Sequence, residues 1–251
     1  MKSLILAAGI GLALSLAAHA DPIKLATEGA YPPFNYVDDE GHVGGFDVEV
    51  GNELCRRAGL QCTWMVNDWD NIIQNMVSGD YDAIVADMTI TDEHKQTIDF
   101  TDPYFPADPS TYLALASRKL DFKSFAGLKV GVQTGTAQAS WAEQHLKPAS
   151  TLVPYDTNDA AVAGLKDGNV DLVLADTAYL GNQAQDSAGT LVTGGPQLMI
   201  GVGAGIGVRK DETDLKTKLN TALAEIKADG WLDGEFRKDF PDLGPGPFFG
   251  N

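Results

Sequence analysis

From Asp21 onward, short β-rich apolar runs alternate with stretches whose apolar residues recur at helical spacing, the pattern of βα units around a mostly parallel sheet. Ile23 to Ala26 predicts a first strand. Between Asp47 and Ala58, Val50, Leu54 and Ala58 recur at four-residue steps and Gly59 follows as a natural stop, which predicts a helix. Cys62 to Val66 predicts the second strand. Trp69 to Val77 pairs Ile72 and Ile73 with Met76 and Val77 in a helical stripe ended by Gly79, and Ala83 to Ala86 reads as a third strand.

The middle of the chain repeats this grammar without repeating the sequence. Strands are predicted at Lys129 to Val132, near Leu152 and at Val170 to Ala175, with helices from about Thr136 and over Asp159 to Lys166. A long helix with Leu215, Leu219, Ala222 and Ile226 on one face runs toward Gly230, a shorter one follows around Trp231 to Phe240, and the Pro/Gly/Phe tail reads as irregular. Two segments read as crossovers between halves. One is the proline-dense stretch from Asp102 to Pro109, just before the extended run Thr111 to Ala116; the other is the strand-like Gly201-Val-Gly-Ala-Gly-Ile-Gly207. That glycine run has the wrong spacing for a dinucleotide fingerprint and no helix follows it directly. A hinge and plain backbone crowding both account for its glycines. Two α/β lobes are therefore expected: residues 21–109 with 204–251, and residues 110–203.

The first twenty residues differ in kind. Lys2 precedes an apolar run from Leu4 to Ala18, and Ala18-His19-Ala20 has the small-x-small form cut by signal peptidase, so residues 1–20 are expected to be a signal peptide and Asp21 the mature start. The run falls short of the roughly 20 residues a spanning helix needs, which weighs against a retained anchor. There is no cysteine beside the cleavage site for lipid attachment. The formal net charge of −17, more negative once Lys2 is removed, disfavours nucleic acid and anionic membrane surfaces. Export to an oxidising compartment makes a disulfide the expected state of Cys55 and Cys62, tying a helix end to the next strand; their spacing is neither C-x-x-C nor accompanied by a histidine pair. His42, His94 and His145 are scattered without metal-ligand spacing, and neither a metal nor a cofactor is expected.

In open α/β sheets, ligands bind beyond the carboxyl ends of the strands. Glu28 and Tyr31 follow the first predicted strand, Asp68 and Trp69 the second, and Asp87 with Thr89 the third. Thr134-Gly135-Thr136 follows Val132, and Asp176 follows Ala175. One site drawn from both halves is the implication. Carboxylates of Glu28, Asp87 and Asp176 gathered in a partly dry cleft would raise one another's pKa and oppose closure unless a cation lay among them. Tyr31 and Trp69 would favour an alkyl chain, an ammonium or a guanidinium. Backbone N–H groups at the Gly135-Thr136 helix start suit an anionic or carbonyl end. Blander roles stay open: helix N-caps for Asp68 and Asp176, core packing for Tyr31 and Trp69, and a surface histidine for His94.

An ordered set of segments closely resembles the polar amino-acid-binding proteins of ABC importers, solute-binding protein family 3. They are Ala26-Thr-Glu-Gly-Ala-Tyr-Pro-Pro-Phe34, Gly45-Phe-Asp-Val-Glu-Val50, Asp82-Ala-Ile-Val85, Thr89-Ile-Thr-Asp92, Asp99-Phe-Thr-Asp-Pro-Tyr104, Val130-Gly-Val-Gln-Thr-Gly-Thr136 and Gly207-Val-Arg-Lys210. The cysteine pair resembles the disulfide of the lysine/arginine/ornithine-, histidine- and opine-binding branch. The resemblance implies the two-lobed periplasmic-binding-protein fold with a two-segment hinge, and a periplasmic binding protein rather than an enzyme. It would capture a small cationic metabolite by hinge closure for an inner-membrane ABC permease; a monomer is expected. Carried over, Tyr31 and Trp69 become aromatic walls, Glu28 faces a distal positive group, Asp176 holds an α-ammonium, and Thr89 and Thr136 donate to the other end.

Two departures stand out. His94 occupies the place where the family normally has an arginine gripping the ligand's carboxylate, and Ala86-Asp87 stands where small hydroxyl residues are common. Losing a permanent cation and gaining a carboxylate shifts the site toward ligands with positive groups and a weak or absent carboxylate, such as a diamine or a guanidino compound. The rival ligand is an ordinary basic amino acid whose carboxylate meets His94. A periplasmic cyclohexadienyl-dehydratase-like enzyme and a soluble ligand-presenting sensor are the competing classes; the missing arginine argues against the carboxylate anchor that the enzyme needs.

Overall fold

A computed structural model of the chain describes residues 21–243, 246 and 248–249; residues 1–20, where the export signal is expected, lie outside the described residues. The first half contains β1 (Ile23–Thr27), β2 (Ala30–Tyr31), β3 (Asn35–Val37), β4 (Val43–Gly44), α1 (Phe46–Ala58), β5 (Cys62–Val66), α2 (Trp69–Ser78), β6 (Ala83–Ile84), α3 (His94–Thr97) and β7 (Asp99–Phe100). The second half follows with β8 (Ser110–Leu115), β9 (Lys129–Gln133), α4 (Ala137–His145), β10 (Thr151–Tyr155), α5 (Asn158–Lys166), β11 (Leu172–Asp176), α6 (Thr177–Asp186) and β12 (Leu191–Leu198). The chain then returns through β13 (Gly207–Val208), α7 (Thr213–Ala228) and α8 (Trp231–Asp239). Among the described residues, no helix is long and apolar enough to cross a membrane.

Two five-stranded sheets result, ordered β5-β1-β6-β13-β7 and β10-β9-β11-β8-β12. Strands joined through helices pair in parallel: β1 with β5 and β6, and β9 with β10 and β11. Strands that begin or end at a crossover pair antiparallel, β13 with β6 and β7, and β8 with β11 and β12. A parallel pair needs a crossover helix, whereas a chain coming straight back into a sheet enters it antiparallel. The small meander β2-β3-β4 was not predicted, its strands being too short to show alternation. Nor was β12, whose Gly194-Gly195-Pro196 breaks the pattern and is tolerated because the strand lies at a sheet edge.

Each helix forms where its stripe meets a sheet. In α1, Val50, Leu54 and Cys55 are buried, and Gly59 closes the helix at φ 66°. The disulfide Cys55–Cys62 ties α1 to β5. In α7, Leu215, Leu219, Ala222, Leu223 and Ile226 are buried. An aromatic cluster fastens the first crossover to the first lobe: Phe105 lies 4.9 Å from Phe34 and 5.1 Å from both Phe236 and Phe240.

The crossovers run side by side. Ala204 N–H donates to the Phe105 carbonyl at 3.1 Å and its carbonyl accepts from Tyr104 N–H at 2.9 Å, while Thr101 N–H donates to the Ile206 carbonyl at 3.0 Å. Gly203 has φ 116°, and a Cβ there would sit 2.5 Å from the Phe105 carbonyl oxygen. Crowding and crossover position thus explain this glycine together: only a residue without Cβ lets the two segments touch. Removing the short-loop disulfide with Cys55→Ser and Cys62→Ser is expected to lower stability by about 2 to 3 kcal/mol, read as an earlier urea midpoint.

Candidate ligand-binding site

The carboxyl ends of both sheets face one cleft. There a cavity is lined by Glu28, Tyr31, Trp69, Asp87, Thr89, His94, Thr136 and Asp176, the eight residues expected to meet a ligand, whereas Asp68, also at a strand end, lines a neighbouring hollow with Glu28 and Trp69. Ala86, Gln133, Ala137, Gln138 and Asn158 complete the lining. The strand ends explain the gathering. Glu28 follows β1, Trp69 opens α2 after β5, Asp87 and Thr89 follow β6, Gln133 ends β9 and Asp176 ends β11. Asn158 was overlooked because the end of the strand near Leu152 was indistinct; a polar residue opening the next helix was the available signal.

The two lobes touch across the cleft. Gln133 Nε2 donates to Glu28 Oε1 at 2.6 Å, Tyr31 Oη donates to Asp176 Oδ2 at 3.1 Å, and the Tyr31 ring stacks on Tyr179 at 4.4 Å. Tyr31 also stacks on Phe34 at 5.4 Å and is buried, so it offers a guest less wall than expected and leaves half-buried Trp69 as the freer aromatic surface. A Cβ on Gly135 would lie 3.6 Å from Trp69 Nε1, so the indole reaches the turn between β9 and α4.

The cavity is acidic throughout. Neither lysine nor arginine lines it, and among the described residues Glu28, Asp87, Asp108 and Asp176 make no ion pair. Burial pushes Glu28 up to about 7 against the opposing hydrogen bond from Gln133, and pushes Asp176 up to about 6 against bonds from Tyr31, Ser110 and Gln138. Asp87 is raised well above the carboxylate range by burial and then by the negative charges of Asp176, Asp47 and Asp108. Asp108 lines an adjoining hollow with Asp87 and Asp176, and burial followed by the charge of Asp176 raises it to about 7.

A buried network that the sequence did not reveal holds the floor. Gly29 N–H donates to Asn35 Oδ1 at 2.7 Å, Asn35 Nδ2 donates to Asp47 Oδ2 at 2.8 Å, and Tyr104 Oη donates to Asp47 Oδ1 at 2.6 Å. Asp87 N–H donates to Tyr104 Oη at 2.8 Å. Asp47 is fully buried in the first turn of α1, and burial pushes its carboxyl up to about 7 against the opposing hydrogen bonds from Tyr104 and Asn35. The loop bearing Glu28 and the loop bearing Asp87 thus hang from one carboxylate. Asp87 adopts φ 46°, a left-handed conformation costly for a residue with Cβ, and the Tyr104 bond helps to hold it there.

Asp176 occupies the N-cap position of α6, yet its side chain makes no capping bond. Its Oδ1 accepts from Gln138 Nε2 at 2.7 Å instead, and Asp108 on the first crossover caps the helix in its place, Oδ2 accepting from Ala178 N–H at 2.8 Å. The crossover thereby releases Asp176 to the cleft. Thr136 does cap α4: its hydroxyl accepts from Ala139 N–H at 3.1 Å and donates to the Gln133 carbonyl at 2.8 Å. That hydroxyl proton is committed to the backbone rather than to the cavity.

The family model for bacterial extracellular solute-binding proteins, family 3, matches residues 23–241. The chain belongs to the bacterial extracellular solute-binding proteins of family 3. It is 36% identical to an L-arginine-binding protein of Pseudomonas aeruginosa, covering 92% of this chain and 93% of the relative, and 34% identical to a putative ABC transporter arginine-binding protein 2 of Escherichia coli K12, covering 96% and 99%. A crystal structure of a periplasmic His/Glu/Gln/Arg/opine family-binding protein from Silicibacter pomeroyi in complex with lysine superposes with a TM-score of 0.81 at 41% identity, covering 88% of this chain and 97% of that one. The two-lobed α/β fold and the solute-binding role follow from this membership, and this protein is a binding protein rather than an enzyme.

In this solute-binding protein, His94 Nδ1 lies 2.8 Å from the Thr89 carbonyl oxygen. A carbonyl only accepts, so Nδ1 carries the proton and Nε2 of the neutral ring is an acceptor. A neutral His94 therefore offers no ring donor to a ligand carboxylate.

Two outcomes follow for the solute-binding protein. The raised carboxyl pKa values mean that the ligand-free fold holds protons that the unfolded chain releases, so their contribution to stability is complete below the ordinary range near 4 and is lost as pH rises through 6 to 7. The ligand-free melting temperature should fall between about pH 5 and pH 8, while a cationic ligand should bind more tightly over the same rise, with proton release detectable by calorimetry in buffers of different ionisation enthalpy. Tyr104→Phe strands both the Asp87 N–H and an oxygen of Asp47, and should cost about 2 kcal/mol in denaturant unfolding.

Proposed function

We propose that this protein captures a small cationic ligand in the periplasm and delivers it to an inner-membrane ABC permease. The preferred ligand has a positive group facing Glu28 and a second facing Asp87 and Asp176, with no ordinary α-carboxylate, as in agmatine or a diamine. The carrying observation is a cavity walled by unpaired carboxylates, without a lysine or arginine, whose one histidine has its donor nitrogen turned to a backbone carbonyl. A ligand carboxylate there would find no lysine or arginine to pair with, whereas an ammonium or guanidinium would displace the protons held by the buried carboxyls and compensate the charge left behind.

Lobes of residues 21–109 with 204–251, and of residues 110–203, close about the two crossovers, and a ligand touching both favours the closed form through its differential contacts. Glu28, Tyr31, Trp69, Asp87, Thr89, His94, Thr136 and Asp176 are its lining. Relatives named for periplasmic binding and the export signal expected at residues 1–20 support the compartment. Relatives named for arginine support a guanidino end. The rival ligand is arginine or lysine itself, with protonated His94 meeting the carboxylate.

Thermal-shift titration decides between them, since a ligand at 100 times its Kd stabilises by about 2.7 kcal/mol. Agmatine and cadaverine should raise the melting temperature more than arginine and lysine do, and His94→Arg should reverse that order. A strong shift with the amino acids and none with their decarboxylated counterparts would refute the reading.

A further inference from the structure

The wall behind Glu28 contains a polar atom with no partner. Asn158 is 6% exposed, it lines the cavity, and its Oδ1 is buried without a hydrogen bond. The orientation of this amide is dictated by its neighbours. Glu28 Oε1 and the Asp156 carbonyl stand 2.6 and 3.1 Å from one end of the Gln133 side chain. The Asp156 carbonyl can only accept, so that end of Gln133 is its NH2, and the other end is an oxygen. Gln133 Oε1 lies 2.6 Å from Asn158, so the atom of Asn158 that faces it must be the donor Nδ2. The remaining atom of Asn158 is an acceptor by elimination, whichever way either amide is drawn in isolation.

A buried carbonyl oxygen left unmatched costs roughly 1 to 3 kcal/mol, and because Asn158 is a lining residue of the cavity, a guest entering beside it is the natural source of the missing donor. We infer that Asn158 is a further specificity-determining residue of the site, its Oδ1 accepting an N–H from the ligand group that faces Glu28. This rests on the proposed cationic ligand and deepens it. Glu28 keeps Oε2 while Gln133 holds Oε1, so Oε2 and Asn158 Oδ1 form two acceptors on different elements, one on the β1–β2 turn and one at the start of α5. A planar guanidinium, with five N–H donors in a fixed fork, serves two such acceptors at once; an ammonium is a compact point charge.

Calorimetric titration of wild type and Asn158→Ala with agmatine, cadaverine, arginine and lysine tests the inference. Wild type should prefer each guanidino ligand to its amine counterpart by about tenfold or more, because a site built to hydrogen-bond penalises a ligand that leaves the acceptor unpaired. Asn158→Ala should weaken the guanidino ligands about tenfold and bring the preference below about threefold. A merely structural role would weaken all four ligands alike and leave the preference unchanged; that result overturns the inference, as does a wild type without the preference. The proposed absence of a carboxylate is read on the other axis, agmatine against arginine and cadaverine against lysine, so either idea can fail while the other stands. Binding of none of the four overturns both.

Discussion

Burying carboxylates against one another without a lysine or arginine among them is the constraint around which this molecule is arranged. Glu28, Asp87 and Asp176 converge from different strands of two sheets, and Asp108 stands behind them. Each is pushed toward its protonated form by loss of water, and their mutual repulsion adds to that for Asp87 and Asp108. On the proposed reading, a guest carrying positive charge would remove the penalty on both lobes together. The same electrostatics that make ligand-free closure costly would then make closure selective.

Such a site works only if its carboxylates cannot turn away. Asp87 is kept in a left-handed backbone conformation with its N–H on Tyr104, and Tyr104 leans on Asp47, which also carries the Asn35 bridge to the Glu28 loop. Asp176 is kept in the cleft by Tyr31 and Gln138, while Asp108 performs the helix capping that Asp176 would otherwise supply. The supports lie in different places: a buried helix start for one lobe, a crossover segment for the other. Since Asp108 and Tyr104 both belong to the first crossover, the segment that links the lobes also organises the acids on each side of the cleft.

How much of this was legible depends on the range of the interaction involved. The alternation of strands and helices, the α1 and α7 stripes, the cysteine pair and seven of the eight cleft residues follow from local pattern plus the rule that ligands sit beyond strand ends; His94 was singled out only through the family resemblance. The meander β2-β3-β4, the edge strand β12 and helix α6 did not, because two- or three-residue strands, a Gly-Gly-Pro interruption and a mostly polar helix carry little periodic signal. Asn158 stood one strand end away from recognition. Asp47 looked like any acid in a helix's first turn.

The sequence by itself determined the βα grammar, the acidity, the disulfide and which side chains end the strands, because these are set by spacing and composition within a few residues. Only the tertiary structure decided that Tyr31 leans on Tyr179, that Thr136 spends its hydroxyl on the backbone, that Asp108 caps for Asp176 and that Asn158 is left with an orphaned oxygen. Each of these concerns which partner a polar or aromatic group finds, and the partner is brought close by packing across two lobes, not by position along the chain.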